Sequence, residues 1–565
     1  MRILQIVHGF PPEQSAGTEL YTQALSQTLL ARGHDCAVLA GSKQTASGPG
    51  LLITEQDGLT VVRLVGLRKR GGLRAEIYDP TVERLVRKCF DLWRPDLVHV
   101  QHWVHLTGNL VAICTELGIP SVVTLHDQWI ACSRIHRIQP DGTFCSALQT
   151  PCVSCVDRDR WQTNDEVGKE LGLRQQLITQ ELGLADCILV PSMAQQRFLQ
   201  QIVDFPLERL RVVPLGSPVE MPLGTAGNRQ KPLDAPLRIG YWGYLAPLKG
   251  LHILLEAARL LHEQENTRAE WHLLGVPFDP VYSERLKELA EGMPVIFHGP
   301  YNQRDVAALD LDIAVFPSVC YETYSFVLDE AFQMRIPAIV PDRGAPAERI
   351  GQAGITFVTG DAADLARKIH GLLHDPDILE GLRRAVPNEG AVSMEAHAAD
   401  MEKIYQDTTM SRSERKEAPQ WYRSLLEHRE QQLFDREQLL SDRERQLEEL
   451  SQQVIHLTET LQTQQVTLQE RIEENVLLRS ELIERNRLLA NLQGQVADQG
   501  RLLLALRADL DARTDEATAL REQVVERDRL LANLQGQVAD QGRLLLALRA
   551  DLDARTDEAT ALREQ

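Results

Sequence analysis

The stretch CYETYSFVLDEAF, residues 320–332, sets two carboxylates, Glu322 and Glu330, on either side of seven mostly apolar or hydroxyl residues. On one straight helix the two acids would lie about 12 Å apart along the axis, at about 1.5 Å per residue. That is too far to grip a single atom, but it suits the two ends of an extended ligand. Ser325 is a good N-cap for a helix through Phe326 to Met334, which Pro337 then stops. Glu322 then falls in the loop before the helix, and Glu330 inside it. Between them lie the free N–H groups of a helix N-terminus, a natural phosphate site. An acid, an anion cradle and a second acid predict a sugar–diphosphate–ribose ligand.

Two glycine-bearing stretches fit the same chemistry. In LRIGYWGYLAPLKGLHILLEAA, Gly243 and Lys249 fall between a strand and a helix. A lysine there would neutralise a diphosphate leaving group as its charge develops; a solvated lysine at a helix start is the plainer alternative. In HGFPPEQSAGTELYTQALSQTLLARGHDCAVLAG, residues 8–41, Gly17 stands just before the first helix. A glycine there lets a ligand approach the backbone closely, and a plain turn glycine reads equally well. No G-x-G-x-x-G follows the first strand, which argues against a dinucleotide oxidoreductase.

A different chemistry is offered by HDQWIACSRIHRIQPDGTFCSALQTPCVSCVDR. Cys132, Cys145, Cys152 and Cys155 gather four of the nine cysteines into 24 residues. The two-residue gap of Cys152–Cys155 is that of zinc knuckles, and four thiolates could complete a tetrahedral structural site. The irregular spacing of the first three leaves free thiols as the alternative, and disulfides are the remaining reading, which a reducing cytoplasm disfavours. LRKRGGLR, residues 67–74, is a basic loop in an acidic chain. It would meet anionic lipid heads or a lipid-diphosphate acceptor, or be a solvated loop.

The elements that must position these residues alternate. Ile3–Val7 reads as a buried strand, Thr18–Ala31 as an amphipathic helix ended by Gly33, and Asp35–Leu39 as a second strand. Apolar runs at Leu97–Val100, Ser121–Leu125 and Cys187–Val190 continue the rhythm of a parallel sheet covered by helices. Residues 218–236 loosen into a linker. The rhythm restarts with strands at Leu237–Tyr241, Glu270–Leu274, Val295–His298, Ile313–Phe316 and Ala338–Val340, and a helix at Gly250–Leu261. Two doubly wound domains follow, with ligands beyond the carboxyl ends of the strands.

The totals agree. A chain of 565 residues exceeds a single core, and 43% apolar with 5% aromatic residues suits α/β domains joined to something long and helical. A net charge of −20 argues against nucleic-acid binding. No apolar run reaches the roughly 18 residues of a membrane span. MRILQIVHGF reads as a first strand, not a signal peptide. An odd cysteine count in a large chain disfavours a disulfide framework, and a cytoplasmic location is expected.

From about Ser411 the composition changes to Glu, Gln, Arg and Leu. Every seventh position from Leu426 through Ala559 is apolar except Asn475, the mark of a coiled coil. The other core position mixes Leu450, Leu492, Leu506 and Leu520 with Arg436, Arg471, Arg513 and Arg527. Gly494 and Gly500 would each cost about 1 kcal/mol inside a helix. Arg487–Gln523 recurs unchanged at Arg529–Gln565, an offset of 42 residues that preserves the heptad phase. A spacer or oligomeriser is the reading.

Taken together, several motifs resemble those of the retaining glycosyltransferases of the GT-B, family 4 type, over roughly residues 1–405. They are the Gly17 turn before RGHDCAVLAG, the pair His126–Asp127 after a strand, ADCILVPS at 185–192, GYLAPLKG at 243–250, and FPSVCYETYSFVLDEAF. The resemblance implies a fold of two Rossmann-like domains, here with a long C-terminal α-helical coiled coil. The domains expected are an acceptor-side domain at 1–217, a linker at 218–236, and a nucleotide-sugar domain at 237–408. A second linker spans 409–424 and the coil 425–565. Lys249 is implied to bind the donor diphosphate, Glu330 the ribose hydroxyls, and Glu322 to lie near the transferred sugar. His126 is implied at the reaction centre, and Gly17 where the diphosphate nears the first domain. Gly243, Tyr244, Ser325 and Phe326 complete the expected donor wall. Three positions depart from the family pattern: Tyr244 stands where Arg is frequent, and Ser325 and Arg335 where Gly is.

The resemblance further implies a retaining, metal-independent reaction in which the leaving phosphate helps deprotonate the acceptor. Expected partners are a UDP- or GDP-linked sugar, a saccharide or lipid-linked acceptor, and further copies of the chain through 425–565. No cofactor is expected for catalysis; structural zinc and peripheral contact with the inner membrane face stay open. The rival reading is an inactive transferase-like head serving the coil as a scaffold, and a third is an epimerase of the same shape.

Overall fold

Short runs of Val, Ile and Leu, apolar on both faces, can be buried only between layers of helices, and they form two such sheets. The computed structural model describes residues 1–67, 78–146, 152–156, 163–202, 207–222, 235–263, 268–388, 391–411, 420–486 and 493–561. The chain divides into two compact units, Met1–Ala418 and Pro419–Gln565. Most of the basic stretch 67–74 and parts of both expected linkers lie outside the described residues.

The first sheet comprises β1 (Arg2–Val7), β2 (Asp35–Gly41), β3 (Gly50–Gln56), β4 (Leu59–Val65), β5 (Leu97–Val100), β6 (Ser121–Thr124), β7 (Cys187–Val190) and β8 (Leu210–Val212). Its order is β3-β4-β2-β1-β5-β6-β7-β8, and only the β3–β4 hairpin is antiparallel. Asp57 and Gly58 turn that hairpin with φ of 50° and 78°, the hand that matches strand twist. The sequence reading has no strand there, because Leu52 and Ile53 on β3 are exposed and blur the pattern. The chain order reverses between β1 and β5, so a crevice opens beyond their carboxyl ends.

The second sheet contains β9 (Leu237–Trp242), β10 (Ala269–Leu274), β11 (Val295–Gly299), β12 (Ile313–Val315), β13 (Ala338–Pro341) and β14 (Gly354–Phe357). Its order is β11-β10-β9-β12-β13-β14, all parallel, with the switch between β9 and β12. Helices Leu251–His262 and Ala362–His374 pack together over this sheet and share its core. Local chemistry starts the helices. Asp79 accepts from the Thr81 and Val82 N–H groups, and Thr163 with Glu166 forms a capping box.

The last helix of this unit departs from the expected grouping of residues 237–408 with the second sheet. Met394–Met410 packs on the first sheet, with Ala398, Met401 and Tyr405 in the same core cluster as Ile3, Tyr21 and Leu25. Tyr405 Oη lies 2.7 Å from His99 Nδ1, and His397 Nε2 lies 2.8 Å from Tyr21 Oη. The chain therefore crosses back to the first domain, and its residues there are too far from their partners in sequence for local pattern to reveal it.

The second unit holds two helices, Gln420–Asn486 and Gln493–Ala561. The second runs on through Gly494 and Gly500 without interruption. Leu450, Leu461, Leu506 and Leu520 are each exposed on this single chain. Among the described residues, no helix is long and apolar enough to cross a membrane.

Candidate active site

The carboxyl end of β9 begins the site. Gly243 has φ 131°, a conformation that side-chain-bearing residues rarely adopt, and it turns the chain sharply out of the sheet. Tyr244 follows, half exposed, its ring edge-on to Phe278 at 6.0 Å. A short turn, Pro247–Lys249, then brings Lys249 to the start of helix Leu251–His262. Its Nζ donates to Glu322 Oε1 at 2.6 Å, and Ser318 Oγ donates to the same oxygen at 2.7 Å. Burial pushes the Glu322 carboxyl up, but the Lys249 charge and these hydrogen bonds outweigh it and hold the group below its ordinary value. Burial likewise disfavours the Lys249 ammonium, and the Glu322 charge more than restores it.

Glu330 lies one helix further on, within Phe326–Gln333. Trp242 Nε1 donates to its Oε2 at 2.7 Å, yet burial lifts the carboxyl to about 7. The two acids thus have separate anchors, one on Lys249 and one on Trp242. The expectation that Ser325 caps this helix is corrected. Ser325 occupies the N-cap position with φ 76° and ψ 83°, and its side chain makes no cap hydrogen bond. Arg349 holds the unusual turn by donating to the carbonyls of Tyr324 at 2.8 Å and Ser325 at 3.3 Å. Arg349 also pairs with the buried Asp329. The first amides of the helix therefore have no side-chain cap, which suits an anion. Arg335 too is left-handed, with φ 61°, so both positions noted as frequent glycines adopt a glycine-like backbone.

The first domain supplies the facing wall. A Cβ on Gly17 would come within 3.2 Å of the Phe326 ring, so a side chain there would press on Phe326 across the junction of the two domains. His126 follows β6. Its Nε2–H donates to Gln101 Oε1 at 2.6 Å, its carbonyl accepts from Thr323 Oγ1, and burial drops its pKa to about 3, so the ring is neutral. Tyr21 stands edge-on to His126 at 5.2 Å and stacks toward Phe326 at 6.4 Å. The structure thus gathers His126, Gly17, Ser325 and Phe326 around one junction, with Lys249 and Glu322 paired close behind Thr323.

Sequence reasoning missed a second set of groups here. His8 follows β1 and pairs with the buried Glu19 at 3.1 Å. His102 follows β5. Its Nε2 donates to Asp127 Oδ2 at 2.9 Å while its Nδ1 accepts from the Val104 amide. Burial raises Asp127, but the His102 charge and hydrogen bond dominate, so it stays a carboxylate. His136 lies within the fields of Asp127, Lys249, Glu322 and His102, and burial lowers its pKa most. Non-glycine residues with positive φ, Ile135 at 65° and Arg137 at 55°, flank it. The signal available in the sequence was position: His8 directly follows, and His102 lies two residues past, a strand of the predicted sheet. His136 had none.

The four loop cysteines gather on a cavity of their own. Burial, then the neighbouring Cys145, Cys132 and Cys155 thiols, raise the Cys152 pKa.

Residues 15–220 match the family model described as Glycosyltransferase Family 4, and residues 236–375 match that of Glycosyl transferases group 1. Glycogen synthase of Mycobacterium tuberculosis (strain ATCC 25618 / H37Rv) is 22% identical over 425 residues, 68% of this chain and 89% of that protein. Sulfoquinovosyl transferase SQD2 of Arabidopsis thaliana is 30% identical over 312 residues, 53% of each chain. The structure of sucrose-phosphate synthase from Thermosynechococcus elongatus superposes with a TM-score of 0.53 at 17% identity, over 73% of this chain and 100% of that one. The catalytic domain of starch synthase IV from Arabidopsis thaliana gives 0.51 at 12% identity, over 72% and 99%. The structural likenesses bear on the fold, two Rossmann-like domains. The family matches and curated relatives support a glycosyltransferase of the family 4 type.

Proposed function

We propose that the chain transfers a sugar from a UDP- or GDP-linked donor to a hydroxyl of a saccharide or lipid-linked acceptor, retaining the anomeric configuration and using no metal ion. The observation that carries this is the Lys249–Glu322 pair at 2.6 Å beside the uncapped N-terminus of helix Phe326–Gln333. The donor diphosphate would take the Lys249 ammonium and the helix amides, leaving Glu322 to accept from a hydroxyl of the sugar. Glu330 would hold the ribose. As the bond from the anomeric carbon to phosphate breaks, negative charge grows on the phosphate, which the Lys249 ammonium and the helix amides would stabilise. The acceptor oxygen bonds the anomeric carbon on the same face, and its proton passes to the departing phosphate. The remaining acceleration comes from alignment.

The setting that fits is glycan or polysaccharide assembly at the inner membrane face, with copies joined through residues 425–565. The exposed leucines on the tail helices support that joining, since an unpaired heptad seam leaves apolar surface in water.

A panel of UDP- and GDP-sugars, assayed for hydrolysis and transfer, tests the reaction. Turnover abolished by Lys249→Ala and by Glu322→Ala is the expected result. Absence of both turnover and nucleotide binding by calorimetry would favour the scaffold reading.

A further inference from the structure

The nine cysteines are of two kinds. Cys36, Cys89, Cys114, Cys187 and Cys320 are buried, as small core residues are. Cys132, Cys145, Cys152 and Cys155 are only partly buried, yet all four line one cavity of about 30 Å³.

Three local turns deliver them. The Cys132 amide donates to Gln128 O at 2.8 Å, and the Cys145 amide to Arg137 O at 2.7 Å, just past the bridge Ile138–Phe144. The Cys155 amide donates to Cys152 O at 3.0 Å, closing the Cys-x-x-Cys turn. Among the described residues from 131 to 156 there is no helix and no named strand. Ala131, Ile138 and Leu171 supply the apolar part of the cavity wall. Val153 and Val156 pack on Val167 and Leu171 beside it, so the thiols converge on a partly apolar wall rather than in open solvent.

We propose that Cys132, Cys145, Cys152 and Cys155 bind one zinc ion as four thiolates. Four S–H bonds give their protons to solvent, four Zn–S bonds form, and no electron is transferred. The wall is suited to the resulting negative charge, because Arg134, Arg137 and Arg174 also line it. Arg137 Nη2 stands 4.0 Å from Cys145 Sγ and donates to the Cys145 carbonyl at 3.2 Å, while Arg134 donates to the Cys155 carbonyl at 3.1 Å. Such outer contacts orient metal ligands. No group of three or more His, Cys, Asp or Glu side chains among the described residues forms a ready-made metal cage. Zinc must therefore draw the thiols inward to about 2.3 Å.

The ion would secure a wall of the active site. Phe144 stacks on Tyr321 at 6.4 Å, and Arg137 sits over Phe198 at 5.0 Å, which itself stacks on Tyr321 at 4.6 Å. Tyr321 directly precedes Glu322, and the same loop carries His136.

The test uses the full chain purified under reducing conditions, without chelator, and read by elemental analysis and cobalt exchange. One zinc per chain is expected, lost in the Cys152→Ser/Cys155→Ser double variant. Cobalt should give the sulfur-to-metal charge-transfer band and intense visible bands of a tetrahedral thiolate site. A folded, reduced wild-type chain that takes up neither metal overturns the proposal, as does a disulfide among these four found by mass spectrometry. Cobalt exchange on the wild type decides the matter even where the double variant fails to fold, and neither readout depends on sugar transfer.

Discussion

Lys249 Nζ and Glu322 Oε1 lie 2.6 Å apart, joining the turn after β9 to the loop after β12 across the switch point of the second sheet. Each charge is kept by the other, so the pair is a structural tie, and in the reaction proposed above it also supplies the cation that would meet the diphosphate. Lys249→Ala should reduce donor turnover by roughly 100-fold or more, since it removes charge stabilisation from the departing phosphate. It should also destabilise the fold by about 1–3 kcal/mol, because the largely buried Glu322 carboxylate loses its cationic partner while keeping Ser318. In urea melts, Lys249→Ala/Glu322→Gln should recover most of that stability while turnover stays lost.

Glu330 gives a pH dependence. Its folded pKa of about 7 lies above its ordinary value, so the folded state holds the extra proton. Its contribution to stability is greatest below the ordinary carboxylate pKa and falls as pH rises toward 7, then levels off. Binding of ribose hydroxyls to the carboxylate runs the other way. UDP or GDP affinity measured by calorimetry should strengthen from pH 6 to pH 8, and Glu330→Gln should flatten that rise. Glu322, held below its ordinary value, contributes stability present above that value and lost as pH falls through its folded pKa. It should not titrate in the same window.

At Ser325, φ is 76° and the hydroxyl makes no cap. Ser325→Gly should raise stability by up to about 1 kcal/mol in thermal or urea unfolding, since the left-handed backbone is free for glycine. Ser325→Ala should change little. A loss above about 1 kcal/mol in the alanine variant would show that the hydroxyl caps the helix after all.

The Gly17–Phe326 approach leaves no room for a side chain without movement. Gly17→Val should sharply lower kcat/KM for donor with the far-ultraviolet circular dichroism intact. Phe326→Ala in the same chain should recover part of it if the contact itself is the cause.

Removal of residues 419–565 should leave a monomer in sedimentation experiments where the full chain associates. An unchanged association state would assign oligomerisation to the head.

Much of this molecule was fixed by local pattern. The strands Leu97–Val100 and Cys187–Val190 form with the bounds their apolar runs imply, because they are buried on both faces, and the other expected strands differ by one or two residues. Lys249, Glu322 and Glu330 could be singled out because each follows a strand or sits at a readable helix spacing. What tertiary structure alone decided was who stands beside them. The pairing of Lys249 with Glu322, the return of Met394–Met410 to the first sheet, and the fields of Lys249 and Glu322 at His136 all join residues distant in sequence. Even Ser325, with a cap-forming side chain, lost its cap because Arg349, pairing with buried Asp329, holds the preceding turn in a left-handed form. Side-chain type and period set which elements form; the partners that packing brings from elsewhere set the charge, backbone angle and neighbours each functional group finally has.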